Sequence, residues 1–436
     1  MVSLELSVLT LNVWGIPFVS SDRAERMQQI GQELSSGKYD IVSLQEVWTE
    51  KDSLLLQELT KAILPYAHYF YSGVIGAGLL VLSKYPIVTT LFHSWTVNGY
   101  CHRIQHADWF GGKGVGLCRI RVADRYVHLY NAHLHAEYDL DNDDYKTHRV
   151  IQAFDTAQFI EATRWDADVQ ILAGDLNAKP MDISYKVLIH TAELKDTCNK
   201  ESTSTNESKH NSYTSKKARK QNPNGQRIDH ILVRSSDTIK TTILEYKLPL
   251  PDRVPGKKFS YSDHEAVQVR LLMQTKQDGD TCSIRHIDAA YLSAGEGSMY
   301  DVKLTPPQTP TLNGVSNARA FDEGECPSEE NAVPKSLPMK YALIKESIAL
   351  CEGHLKKLKT DRIIYFCVAL FLLAALIVMA EFPVPHGYMT LYLLLKLLVF
   401  AVILFCAFMG SLWNLMERNG TLSGKTSMEM KLIDAQ

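Results

Sequence analysis

The apolar positions change period along the chain, and the changes mark its elements. Residues 4–11 alternate apolar and polar side chains, the two-residue period of a half-buried strand. Ser20, Ser21 and Asp22 then offer helix caps, and Met27, Ile30 and Leu34 recur on one face of a helix over 23–35, ended by Gly37. A second strand over 39–46 precedes an amphipathic helix over 51–64. Strands follow at 69–71, 78–82, 116–122 and 125–131, then a long helix at 145–163, then strands at 169–173, 227–233 and 266–272. Strands and helices interleave, yet several strand pairs are joined by short turns. That mixture predicts an α/β domain of mixed sheets with helices outside, spanning 1–273.

The pattern lapses twice. Residues 200–226 are rich in Ser, Thr, Asn and Lys and carry the run Lys216-Lys217-Ala218-Arg219-Lys220. This is read as a solvated insertion, with contact to anionic lipid headgroups the lesser alternative. Residues 274–338, with Pro-Pro, Asp-Gly-Asp and an acidic stretch, read as a flexible linker. Helical spacing returns over 339–362 through Leu343, Ile348, Leu350 and Leu355, an amphipathic segment ending in Lys356, Lys357 and Lys359.

Two apolar runs follow, 363–380 and 388–413, the second interrupted only by Lys396. Each can cross roughly 30 Å of hydrocarbon. Few helices of a soluble core are apolar all round, so a transmembrane hairpin is expected. Its connector holds two prolines and no Lys or Arg, whereas Lys356, Lys357, Lys359 and Arg362 precede the hairpin and Arg418, Lys425 and Lys431 follow it. The excess of basic residues on one side predicts a cytoplasmic catalytic domain and a cytoplasmic tail over 414–436.

Composition narrows the classes. At 436 residues the chain exceeds one average domain, and 45% hydrophobic with 22% charged residues fits a globular protein with added apolar material. A net charge of -3 gives no bulk attraction for nucleic acid. The 8 Cys are scattered without a Cys-x-x-Cys pair, which favours a reduced compartment over a disulfide framework. The first residues lack the basic and apolar regions of a signal peptide.

Polar groups gather where strands end. The strand 169–173 runs into Gly174-Asp175-Leu176-Asn177. Asp175 and Asn177 point the same way if the chain stays extended, and a carboxylate beside an amide suits either a metal or a phosphate. Asn12, Glu46, His133 with His135, and Asp263 with His264 also lie at or just beyond strand ends. Singly each is ordinary: a strand-end Asn is usually a turn residue, and a Glu before Val-Trp is usually on the surface. Their recurrence at successive strand ends is the signal, because active sites collect at one edge of layered α/β scaffolds. Few Cys–His pairs are spaced for zinc, and no Gly-x-Ser-x-Gly elbow occurs. Carboxylate, amide and imidazole remain. Oxygen ligands suit a hard cation such as Mg²⁺, which polarises a phosphoryl group, while an imidazole backed by a carboxylate activates water. The set points to metal-assisted phosphodiester hydrolysis.

The motifs Leu-Asn12-Val-Trp-Gly, Leu-Gln-Glu46-Val-Trp, Asn-Ala-His133-Leu-His, Gly174-Asp175-Leu176-Asn177, Arg227-Ile228-Asp229-His230 and Ser262-Asp263-His264-Glu265-Ala266 occur in this order. Over about residues 4–272 the chain resembles the endonuclease/exonuclease/phosphatase (DNase I-like) superfamily. The resemblance implies a four-layer αββα sandwich with a Mg²⁺ site at one edge. Within the superfamily the chain is similar to the neutral sphingomyelinases, the small animal type with a C-terminal membrane hairpin. That likeness rests on Asp108-Trp109-Phe110-Gly111-Gly112-Lys113-Gly114-Val115-Gly116-Leu117, on His133-Leu134-His135-Ala136-Glu137-Tyr138, on Asp144-Tyr145 with His148-Arg149, and on the two apolar runs.

The likeness implies roles. Glu46 is the main Mg²⁺ ligand, helped by Asn12 and Asp263, with Mn²⁺ a substitute ion. His264 is the general base, oriented by Asp229. Asp175, Asn177 and His133 contact the reacting phosphate. Trp14 stands where nuclease members often place a second acidic residue, which argues against a nuclease-like metal shell. The glycine run departs from a nucleotide phosphate loop, since Gly114 rather than a hydroxyl residue follows Lys113. It is read as a substrate loop or a hairpin turn, with Trp109 and Phe110 suited to entering a lipid layer. The implied activity is membrane-anchored, Mg²⁺-dependent hydrolysis of sphingomyelin to ceramide and phosphocholine. Rivals are lyso-phospholipid (lyso-PAF) or phosphoinositide hydrolysis, a nuclease, and a tethered binding protein with a dead site. Gly225-Gln226-Arg227-Ile228-Asp229 lacks the Pro-Ala-Trp-x-Asp-Arg of phosphoinositide 5-phosphatases. The apolar hairpin opposes a nuclease, and the complete polar set opposes a dead site.

Overall fold

The protein is described from a computed structural model covering residues 3–106, 108–139, 142–199, 203–276, 336–384 and 386–433. Two six-stranded sheets form its centre. The first runs β11 (Ile239–Lys247), β12 (Val267–Thr275), β1 (Ser3–Asn12), β2 (Ile41–Gln45), β4 (Leu79–Ser83), β3 (Tyr66–Phe70). The second runs β5 (Ile87–Ser94), β6 (Gly114–Val122), β7 (Arg125–His133), β8 (Val169–Asp175), β10 (Asp229–Ser235), β9 (Lys195–Asp196).

Strand alternation builds the layers. Val8, Ile41, Val81 and Val269 of the first sheet meet Ile120, Leu129, Ile171 and Ile231 of the second in one buried cluster. The intervening Leu9, Leu11, Val42 and Leu44 face outward onto Met27, Ile30 and Leu34 of α1 (Arg23–Leu34) and Leu56 of α2 (Glu50–Thr60). Tyr130 and Leu172 of the second sheet face Ala153, Ala157 and Ile160 of α4 (Lys146–Ala162) and Leu188 of α5 (Ile183–Ala192). A short helix, α3 (Asp108–Gly111), precedes β6. The expected αββα sandwich is therefore present.

Topology sets the site. β1 with β2, and β7 with β8, are parallel pairs, so their C-terminal ends lie on one edge. The register places His133 beside Asp175. Antiparallel β10 starts at the same edge, with Asp229 opposite Asp175. Asp263 and His264 lead into β12, the antiparallel neighbour of β1.

Several elements depart from the sequence expectations. The helix expected to reach residue 64 stops at Thr60, whose hydroxyl donates to the Leu56 carbonyl at 2.8 Å. β5 and β11 were not expected, because as outer strands they carry mixed exposed and half-buried positions rather than a clean alternation. α5 packs against both α4 and the C-terminal helices, which leaves it too little polar face to show helical periodicity. The run Lys216–Gln221 is a short helix, α6, capped by the Ser215 hydroxyl. The expected linker 274–338 lies mostly outside the described residues; β12 continues to Thr275.

The amphipathic segment and the first apolar run form one helix, α7 (Ser336–Glu381). α8 (Met389–Phe408) returns beside it and passes through a π-helical turn (Met409–Trp413) into α9 (Asn414–Ile433). The expected tail is thus a helix. Leu343, Ile344 and Cys351 of α7 and Met428 of α9 pack on Val150, Ile151 and Phe154 of α4 and Val187 of α5. This adds a fifth layer to the sandwich. Lys357–Asp144 at 2.8 Å and Lys431–Glu161 at 2.9 Å reinforce it. Beyond this layer both helices are long and apolar enough to cross a membrane, and Leu370, Phe371, Ile377, Leu394 and Leu398 point outward.

Candidate active site

The strand ends floor a cavity of about 810 Å³. Glu46, Lys113, His133, Asp175, Asn177, Asp263 and His264 line it. Four lining residues, Trp14, Glu46, Asn177 and Glu207, have positive φ angles of 48°, 59°, 44° and 54°. Such backbone is costly for residues with side chains and concentrates at functional sites. Gly15 allows the tight approach around Glu46, since a Cβ there would lie 2.4 Å from the Glu46 carbonyl oxygen.

Asn12 and Asp229 complete the set from beneath. Asn12 Nδ2 donates to Glu46 Oε1 at 2.9 Å and to Asp175 Oδ2 at 3.0 Å, while its Oδ1 accepts the Trp14 amide at 2.9 Å. Asn12 thus turns its nitrogen, not its oxygen, toward the carboxylates. The sequence expectation gives Asn12 a place in the metal shell, and here it bridges Glu46 and Asp175. His264 Nδ1 donates to Asp229 Oδ2 at 2.9 Å, which fixes the tautomer and leaves Nε2 3.8 Å from Asp175 Oδ2. His133 Nε2 lies 3.6 Å from Asp175, 3.9 Å from Glu46 and 3.5 Å from Lys113 Nζ. Asn177 is tied down by its side chain, which donates to the Leu134 carbonyl at 2.9 Å.

Lys113 reaches the cavity because the glycine run makes a close backbone contact. A Cβ on Gly112 would lie 2.8 Å from Gly73, so only glycine lets this turn sit against the 72–76 loop. Lys113 Nζ pairs with Asp108 Oδ1 at 2.6 Å, and Tyr138 donates to Asp108 Oδ2 at 2.6 Å. Trp109 and Phe110 belong to α3 and do not line the cavity. Trp109, expected in a substrate loop, packs on Trp413 with ring centroids 5.8 Å apart.

Electrostatics follow from this crowding. Burial and the charge of Asp263 push Glu46 up to about 7. Burial and Asp229 raise Asp175 to about 6. Burial also raises Asp263. For His264 burial acts downward, but Asp229, Asp175 and Asp263 outweigh it and hold the imidazole well above its ordinary range. His133 is driven far down by burial and by Lys113. His135, expected beside His133, has its Nε2 3.5 Å from Asp108 and is pushed to about 3, mainly by burial. A surplus of half-buried carboxylate at Glu46 and Asp263, both facing one cavity, fits a divalent cation, which would offset the repulsion that raises Glu46.

Five contributors had no role in the sequence reading. Asn206 Nδ2 lies 3.0 Å from His264 Nε2, and Asn206, Glu207 and Gln226 line the cavity. All three fall in the stretch read as a solvated insertion. Arg26 is fully buried in α1, and its guanidinium donates to the carbonyls of Val13 at 2.7 Å, Trp14 at 2.8 Å and Tyr261 at 3.2 Å, joining the loops that carry Asn12 and His264. Tyr138, quoted in sequence only as the end of the motif that begins at His133, is the last, through its bond to Asp108.

Residues 9–264 match the Endonuclease/Exonuclease/phosphatase family. The chain is 56% identical to a putative neutral sphingomyelinase of Drosophila melanogaster, covering 100% of this chain and 99% of the relative. It is 31% identical to a putative neutral sphingomyelinase of Caenorhabditis elegans, over 98% of this chain and 91% of that one. Sphingomyelin phosphodiesterase 2 of Homo sapiens is 39% identical over 62% of this chain and 66% of its own length.

Proposed function

The chain belongs to the endonuclease/exonuclease/phosphatase family and groups within it with the neutral sphingomyelinases, and from this and the cavity we infer that it hydrolyses sphingomyelin to ceramide and phosphocholine. The observation that carries the reading is the cavity's two-part wall. Its floor is carboxylate, amide, imidazole and ammonium, whereas Ile16, Pro17, Val74 and Ile75 line its mouth. Phe18, Val19 and Val74 are among the most exposed apolar side chains of the domain. A phosphodiester can reach the floor while its lipid portion remains in an apolar phase.

In this reading Glu46 and Asp263 hold Mg²⁺, with Mn²⁺ able to replace it, and Asn12 orients Glu46. When bound, the ion supplies positive charge to the phosphoryl oxygens and lowers the raised proton affinities around it. His264 Nε2 takes the proton of the attacking water, and Asp229 stabilises the imidazolium that results. Lys113 neutralises the phosphate oxygens, the uncharged imidazole of His133 and the amide of Asn177 hydrogen-bond them, and Asp175 positions Asn12 and the water. α7 and α8 anchor the enzyme in the bilayer that holds its substrate, raising their effective concentration. The flanking basic residues support a cytoplasmic catalytic domain.

Phosphocholine release from sphingomyelin in detergent micelles tests this, with Mg²⁺ and with EDTA, beside lyso-phosphatidylcholine, an inositol phospholipid and DNA. Mg²⁺-dependent cleavage of sphingomyelin is expected. Cleavage of DNA with both choline lipids intact would overturn the reading.

A further inference from the structure

A second cluster of buried imidazole and carboxylate lies outside the cavity. His148 comes from α4, His354 from α7 and Glu417 from α9. All three are buried, at 0%, 7% and 5% exposure. His148 Nε2 meets Glu417 Oε1 at hydrogen-bonding range, and His354 Nε2 lies 3.4 Å from the same oxygen. The three ligand atoms fall within 4.8 Å of one another. Tyr100 walls the cluster, its ring centroid 5.0 Å from that of His148 and 6.5 Å from that of His354.

Hydrogen bonding alone leaves this cluster unsatisfied. His354 Nε2 is buried, faces the carboxylate and has no hydrogen-bond partner. An orphaned buried polar atom costs about 1–3 kcal/mol. One carboxylate oxygen also serves two imidazoles at once, and two imidazolium ions there would leave net positive charge buried. A cation between the three groups would use both Nε2 lone pairs and the carboxylate oxygen. The 3.4 Å separation is close to the edge of a tetrahedron with bonds of about 2.0–2.1 Å, the span of zinc bound by nitrogen and oxygen. Two imidazoles and a carboxylate suit zinc, whereas Mg²⁺ prefers an octahedral shell of oxygen.

We propose that His148, His354 and Glu417 form a zinc site that pins α7 and α9 onto α4, with its fourth position open to water. The site differs from the catalytic cation site in ligand type and in location. It joins the helices that continue into the apolar pair to the helical layer of the sandwich. No local sequence motif announces it, because each ligand comes from a different helix, the last separated from the first by 269 residues.

The test uses the full chain purified in detergent, stripped with chelator and titrated with Zn²⁺ alone or with excess Mg²⁺ present. One zinc per chain is expected by elemental mass spectrometry, together with a rise in melting temperature that Mg²⁺ does not reproduce. Co²⁺ in place of Zn²⁺ should give the intense visible bands of a tetrahedral site. His354→Gln and Glu417→Gln should weaken zinc retention roughly tenfold or more, on the scale of lost metal-site interactions. Glu46→Gln, which alters the catalytic cavity, should leave retention unchanged. No zinc uptake by the stripped wild type, a cobalt spectrum without tetrahedral bands, or equal retention in both cluster variants would each overturn the proposal. Loss of zinc in Glu46→Gln with retention in His354→Gln would also overturn it, by moving the ion to the cavity. If Glu417→Gln fails to fold, the wild-type cobalt spectrum and His354→Gln still decide.

Discussion

Two clusters in this molecule combine buried imidazole with carboxylate, and they rest on different supports. At the sheet edges, Glu46, Asp175 and Asp263 face a solvent-connected cavity with His264, and Asp229 supports the imidazole from beneath. Between helices, Glu417 is the one carboxylate among the described residues that pairs with His148 and His354, in a space walled by Tyr100. The first has an excess of carboxylate, so several of its acids are raised and the cluster invites both a cation and protons. The second has an excess of imidazole over carboxylate. The contrast teaches that side-chain type does not define a site's chemistry. The ratio of acid to base and access to solvent do.

The sharpest way to break the comparison is to remove the imidazole at the sheet edges. His264→Ala should lower sphingomyelin turnover by at least ~10²-fold, the scale of a positioned general base. Stopped assays at saturating Mg²⁺ measure it. Unchanged turnover would reduce His264 to a structural partner of Asp229, and the two clusters would then be alike in function.

A smaller effect separates the supports. Ile344 of α7 is fully buried against the helical layer. Ile344→Ala should cost about 2–4 kcal/mol of stability, the range for emptying a well-packed core position. Thermal unfolding in detergent reads it. Turnover on micelles below the melting range should stay near wild type, because no cavity residue touches Ile344 among the described contacts. A full loss of turnover in a folded variant would mean that the helices do more than anchor.

What sequence could reveal follows the same division. The sheet-edge cluster was legible because strands are read by alternation and their ends are marked by polar residues, as at Asn12, Glu46, Asp175 and His264. Parallel pairing of β1 with β2 and of β7 with β8 then brings those ends to one edge. Asn206 was not legible, since a loop residue carries no period and its role appears only from its 3.0 Å approach to His264. Asn12 was found but its orientation was not, because the Trp14 amide decides which end of the side chain faces Glu46. The contact of Trp109 was not legible for a related reason: its partner, Trp413, lies some 300 residues away in an element whose packing no local pattern encodes. In the layer formed by α7 and α9, the α7 face was legible as the amphipathic segment 339–362 through Leu343 and Ile348, but α9 was not, since the residues after the second apolar run read only as a tail.

The smallest effect tests the cation through protons. Glu46 is raised to about 7, so in the metal-free protein it binds a proton that the unfolded chain would release nearer its ordinary value. The raised Asp175 and His264 act in the same direction. Metal-free stability should therefore fall as pH rises through this window. A cation at Glu46 must displace that proton at pH 5.5 but meets an ionised carboxylate at pH 8. For Glu46 alone, the stabilisation by Mg²⁺ should be larger at pH 8 than at pH 5.5 by about 1–2 kcal/mol, since each unit of proton competition is worth about 1.4 kcal/mol. Melting curves at both pH values, with and without saturating Mg²⁺, give the difference. In Glu46→Gln the pH dependence of the Mg²⁺ effect should shrink and the Mg²⁺ needed for turnover should rise. Zinc stabilisation should be indifferent to the same substitution. If Mg²⁺ stabilised wild type equally at both pH values, the ion would not be bound through Glu46, and the acid excess at the sheet edges would need another partner.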